Sequence, residues 1–124
     1  MTAEPTQARR LSLDELELLD IKVTREGGSV RYLEGAKYGL QTSIYRSETV
    51  PGGGPPPHAH PYTEFFVIED GAARFQVGDE VIEAGRGDVV IVPPDVTHSF
   101  VNHGSGPLRQ TAIHEATAHA QEMR

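Results

Sequence analysis

The chain contains no cysteine. That excludes disulfides, thiolate metal ligands, a thiol nucleophile and a cysteine-based redox switch. Basic residues are scarce too. Lys and Arg number 11 against 18 Asp and Glu, the net charge is −7, and no basic run occurs. A polyanion-binding surface needs the opposite balance, so no nucleic-acid partner is expected. Apolar runs are short, so no membrane span is expected. Arg9 and Arg10 have no apolar core behind them, which argues against a secretory peptide. A cytoplasmic location fits, although the lack of cysteine leaves an oxidising compartment open.

Turn formers, by contrast, are plentiful. Gly is 13 and Pro 9 in 124 residues. That length suits one domain, and the composition favours a turn-rich β protein over a helical bundle. Residues 1–10 are polar and read as a flexible arm. Ser12 with Glu15 fits a capping box ahead of Leu13, Leu16 and Leu19. Leu16, Leu18 and Ile21 suit a strand equally well, so both readings stay open. After a turn at Gly27-Gly28, Val30 to Glu34 reads as a strand and Gly35 to Gly39 as a turn. Leu40 to Val50 alternates clearly. Leu40, Thr42, Ile44 and Arg46 share one face, and Gln41, Ser43, Tyr45 and Ser47 share the other. The second face suits a polar cavity, but alternation alone does not say which face is inside.

Pro51 to Pro57 is a stiff loop. Tyr62 to Asp70 reads as a strand with Glu64, Phe66 and Ile68 on one side. Ala72–Val77 and Glu80–Ala84 flank Gly78-Asp79 as a tight hairpin. Asp88 to Val92 is apolar and β-branched, which predicts a strand buried on both faces. Thr97–Asn102 and Leu108–His114 complete eight or nine short strands. Glu115 to Arg124 is helix-prone and polar, and reads as a tail. Regular turns between short strands predict an all-β sandwich or barrel.

Chemistry concentrates between Gly52 and Asn102. His58 and His60 are one residue apart and fall on one face of an extended segment. Glu64 keeps the same parity, and His98 arrives from a separate strand. Three imidazoles and one carboxylate suit a divalent transition metal. Gly52, His58, His60, Glu64 and Gly71 fit the pattern G-x5-H-x-H-x3-E-x6-G. Gly87, Pro93, His98 and Asn102 fit G-x5-P-x-G-x2-H-x3-N, with Asp95 in place of the last glycine. In these two motifs the chain resembles the cupins. Asp tolerates a left-handed backbone better than most residues, so the turn at Asp95 is expected to survive.

The resemblance implies a double-stranded β-helix, or jelly-roll barrel, over residues 11–115, with the N-terminal arm before it and a polar tail at 116–124. It implies one divalent ion per chain, Fe, Mn, Ni, Co, Cu or Zn, held by His58, His60, Glu64 and His98. Four ligands on an octahedral ion leave two positions open, as a catalytic centre requires. Gln41, Tyr45, Phe66 and His114 are candidate cavity residues. Asn102 reads as a turn residue, His103 as surface and His119 as tail. No catalytic residue is assigned. The expected function is a metal-dependent enzyme acting on a small oxygenated or aromatic molecule, by dioxygenase-like or Lewis-acid isomerase or cyclase chemistry. The alternative is a non-catalytic metal-assisted sensing module. A homodimer is expected, as the resemblance to small cupins implies.

Overall fold

The computed structural model describes residues 8–19 and 28–124. Within them the chain is built almost wholly from antiparallel strands: β1 (Glu17–Leu18), β2 (Ser29–Leu33), β3 (Ser43–Thr49), β4 (His58–Ala59), β5 (Glu64–Asp70), β6 (Ala72–Val77), β7 (Glu80–Gly85), β8 (Val89–Val92), β9 (His98–Asn102), β10 (Leu108–His114) and β11 (Glu122–Met123). They form a six-stranded sheet, ordered β1-β2-β3-β10-β5-β8, and a five-stranded sheet, ordered β11-β4-β9-β6-β7. The two sheets close face to face as a jelly-roll barrel.

Period-two alternation puts apolar residues between the sheets. Phe66 and Ile68 of β5, Phe75 and Val77 of β6, Val90 and Val92 of β8, and Leu108 of β10 form one buried cluster. Along β5 the same inward row begins at Glu64, which is also buried. The barrel is therefore apolar toward one end and polar toward the other, and the inner face of a single strand runs from one regime to the next.

Turn chemistry sets the register. Gly78 has φ 56 and closes the β6–β7 hairpin, with Val77 opposite Glu80. Asp95 has φ 63 and is the non-glycine residue with positive φ among the described residues. The left-handed turn before β9 is thus kept with Asp in the glycine position. Asn102 anchors the next turn. Its amide donates to the carbonyls of Thr49 and Gly106 at 2.8 and 2.9 Å, and its oxygen accepts from the N–H of Gly104 at 2.9 Å.

Several expectations are corrected. β8 is an edge strand and is buried on one face only: Val90 and Val92 face inward, while Val89 and Ile91 are 56% and 65% exposed. The long strand starts at Ser43, not Leu40, because Gly39 is left-handed and Gln41 lies in a bend. Its inward face is the one bearing Ser43, Tyr45 and Ser47. Residues 115–124 are not helical: the chain returns in extended form and β11 pairs with β4. Near the N-terminus, Ser12 caps a single 3-10 turn by accepting from the N–H of Asp14, and Leu16 is buried just before β1. Both local readings were partly right. Ile21, Gly27 and the first seven residues lie outside the described residues.

Candidate metal centre

The site is assembled from both sheets. β4 and β9 lie side by side in the five-stranded sheet with His58 opposite His98. β5 and β10 lie side by side in the six-stranded sheet with Glu64 opposite His114. His60 sits just beyond β4. All five side chains are buried. One donor atom from each of His58, His60, Glu64 and His98 lies within 4.8 Å of the others.

The rings are oriented by backbone carbonyls. His58 Nδ1 donates to Pro56 O at 2.8 Å, His60 Nδ1 to Ala120 O at 2.6 Å and His98 Nδ1 to Val96 O at 3.0 Å. A carbonyl only accepts, so each Nδ1 carries the proton. Each ring thus turns Nε2 toward the centre and Glu64, the nitrogen a metal ligand would offer once any proton there is displaced. The local sequence explains two of these contacts. His58 and His98 each reach back two residues, His58 to a stiff proline segment and His98 past the Asp95 turn.

Glu64 fills the middle. Its Oε1 lies 2.9 Å from His98 Nε2 and 3.2 Å from His60 Nε2, and its Oε2 lies 2.9 Å from His114 Nε2. Burial raises the pKa of this carboxyl, but its contacts with His114, His60 and His98 outweigh that and hold it well below the usual range. Burial lowers the pKa of His58, with His98 and His60 adding to the effect. For His60, burial acts downward, and its contacts with Glu64 and Ala120 O reverse it to a net rise. His60 Nε2 is buried and lacks hydrogen-bond geometry to any partner among the described residues. A carboxylate and three inward imidazole nitrogens in one buried pocket suit a cation. The residues therefore fit a divalent transition ion.

His114 differs from the other three. Its Nδ1 accepts from the Tyr62 hydroxyl at 2.7 Å. Burial pushes the Tyr62 phenol up to about 12, so it keeps its proton and donates. His114 must then carry its own proton on Nε2 and give it to Glu64 Oε2. The result is a chain, Tyr62 to His114 to Glu64, that steadies the carboxylate from behind.

A cavity of about 490 Å³ opens beside the centre, within the range of small-molecule sites. Tyr45, Phe66 and His114 line it; Gln41 is exposed and lies outside the lining. His103 is exposed, as read from sequence. Sequence reading passed over Tyr62, Thr49 and Gln110, and read His119 as tail. Gln110 shares the inward parity of His114 on β10, so alternation was the available signal. His119 carried none: it reaches the cavity because the tail folds back, and partial desolvation of its ring, with His114 and His60 beside it, lowers its pKa.

A jelly roll with a buried histidine-carboxylate cluster inside one end is a single-domain β-barrel of the cupin type. The chain belongs to the cupins: residues 45–114 match the family described as Cupin domain. An uncharacterized protein of Streptomyces coelicolor is 31% identical over 101 residues, covering 82% of this chain and 90% of that one. Among solved structures, oxalate decarboxylase of Lactobacillus farciminis superposes with a TM-score of 0.78 at 20% identity, over 89% of this chain and 34% of the other. A Bacillus subtilis oxalate decarboxylase, studied for its Mn(II) centres, gives 0.79 at 24%, over 90% and 30%. This chain spans about a third of those two proteins. The polyketide cyclase RemF of Streptomyces resistomycificus gives 0.75 at 17%, over 94% and 85%. Identities this low carry the fold alone.

Proposed function

We propose that this cupin is a metal-dependent enzyme acting on a small oxygenated aromatic molecule, held in the barrel with its oxygens toward the ion. The observation that carries the reading is the set of three carbonyl-oriented imidazoles and Glu64, converging beside an aromatic-walled cavity. His58, His60, Glu64 and His98 hold the ion, which supplies Lewis acidity to a ligand oxygen.

The rest is done by the chain itself. Tyr45, Phe66 and Phe100 line the cavity and offer flat apolar surface to an aromatic ring. Tyr62 and His114 form a hydrogen-bonded path ending on Glu64, able to hold or relay a proton at Oε2. That path favours isomerase or cyclase chemistry, in which protons move and no oxidant is needed. A sugar phosphate is disfavoured. Arg46, Arg74 and Arg109 are paired to Glu69, Glu83 and Glu48 at 3.3, 2.9 and 2.6 Å, and none of the three lines the cavity. The working unit in this reading is a homodimer in the cytoplasm.

Elemental analysis of untagged protein beside His58→Ala tests the centre. The expected result is about one ion per chain in the native protein, lost in the variant. A native protein that is empty and takes up no added divalent ion overturns the assignment. Incubating metal-loaded protein with hydroxylated aromatic acids and ketones then separates turnover from mere binding. A thermal shift without product marks a sensing module instead.

A further inference from the structure

The barrel satisfies its structural polar groups. Asn102 makes three hydrogen bonds, and Ser43 Oγ accepts from the N–H of Gly35 and donates to Ala116 O, both at 2.9 Å. Against that background, four buried side-chain atoms have no hydrogen-bond partner among the described residues: Thr49 Oγ1, His60 Nε2, and both Gln110 Nε2 and Gln110 Oε1. All belong to residues that line the same cavity. His60 Nε2 points to the metal centre. Thr49 and Gln110 do not, and each is only 1% exposed.

Their position follows from register. On β10 the inward row is Leu108, Gln110, Ala112 and His114. β3 sets Thr49 opposite Leu108 and Ser47 opposite Gln110. Gln110 therefore lies four residues from His114, roughly 13 Å along the strand. Thr49 is its diagonal neighbour on the adjoining strand, within reach of a shared ligand atom. Tyr45, Phe66, Phe100 and Ala112 wall the space between the two ends. The cavity is thus bipolar: a metal centre at one end, an amide and a hydroxyl at the other, aromatic surface between.

A buried amide with neither donor nor acceptor satisfied is unfavourable in a core unless an ordered water or a ligand completes it, and this one faces a ligand-sized cavity. We propose that Gln110, assisted by Thr49, is a specificity determinant that recognises a hydroxyl at the end of an elongated aromatic ligand remote from its chelating end. A hydroxyl both donates and accepts, so it pairs with the amide oxygen and the amide nitrogen in turn. This inference rests on the metal-dependent reading above for the ligand's other end.

Two naphthoates test it. Both 3-hydroxy-2-naphthoate and 3,7-dihydroxy-2-naphthoate chelate through the same carboxylate and phenol, and only the second carries a far hydroxyl. Binding is measured by calorimetry to zinc-loaded native protein and to Gln110→Leu. Native protein is expected to prefer the dihydroxy compound about tenfold or more. Gln110→Leu is expected to lose that preference while keeping native affinity for the monohydroxy compound. Equal binding of the two by native protein, a preference that survives in Gln110→Leu, or no binding of either overturns the inference. Metal-free protein distinguishes the two readings. If it binds both compounds as tightly as the zinc form, the metal-dependent reading fails, whatever Gln110 does. A melting curve guards against a trivial outcome: metal-free Gln110→Leu should melt no lower than native protein, and a loss of about 5 °C or more would make Gln110 structural and sink the idea.

Discussion

At the scale of single residues, protonation states organise the centre. Three histidines have their Nδ1 protons fixed by carbonyls, whereas His114 is set the other way round by Tyr62. The first three turn Nε2 toward the candidate ion position, whereas His114 Nε2 gives its proton to Glu64. In the metal-free protein His60 holds a proton to higher pH than an ordinary imidazole, while His58 gives its proton up more readily. The sign follows. Binding an ion must expel the His60 proton wherever that proton is present, so apparent affinity falls as pH falls through the raised His60 pKa, by about tenfold per pH unit for each proton displaced. His58 joins only at lower pH. Calorimetry in buffers of different ionisation enthalpy should show proton release below the raised His60 pKa that fades as pH rises through it. Release that is absent throughout would contradict the His60–Glu64 contact. The candidate ligand cluster was legible in the sequence, because parity along a strand places His58, His60 and Glu64 on one side. The same parity misled at Gln41, which lies in a bend before β3 begins, where alternation has no meaning.

At the scale of elements, the C-terminal segment changes the picture most. Residues 115–124 are rich in Ala, Glu and Gln, which favour helix, yet helix propensity is a weak prior that pairing overrides. β11 joins β4, and the N–H of Arg124 donates to Pro57 O at 3.0 Å. Ala120 O accepts the hydrogen bond from His60 Nδ1, so this segment orients a candidate ligand. No local pattern could reveal that, because the contact spans 60 residues. Truncation after Thr117 removes Ala120, His119 and β11. It keeps Ala116 O on Ser43 and Thr117 O on the N–H of Ala36. Metal affinity should drop about 10- to 100-fold, the usual cost of losing a partner that orients a ligand. The barrel's far-UV circular dichroism should persist, since β4 still pairs with β9. Unchanged affinity on titration with zinc would show that the tail only covers the site.

For the whole molecule, closure leaves strand edges to account for. β8 ends one sheet and β7 ends the other. The sequence run at 88–92 suggested burial on both faces, a fair inference from composition. The structure buries one face and leaves Val89 and Ile91 outside, with Val81 of β7 also 60% exposed. A β-branched edge strand in water is a site for pairing with another chain unless something covers it. A homodimer of the kind proposed would cover this outer face; the chain alone buries one face of β8. Light scattering at micromolar concentration should then give the mass of two chains. Ile91→Lys should weaken the dimer about tenfold or more, since burying one such side chain is worth about 1.5–3 kcal/mol. It should leave the metal content of the monomer intact, because Ile91 faces away from the centre. A native protein with the mass of one chain would leave Val89 and Ile91 as bare edge residues, and the proposed homodimer would be wrong.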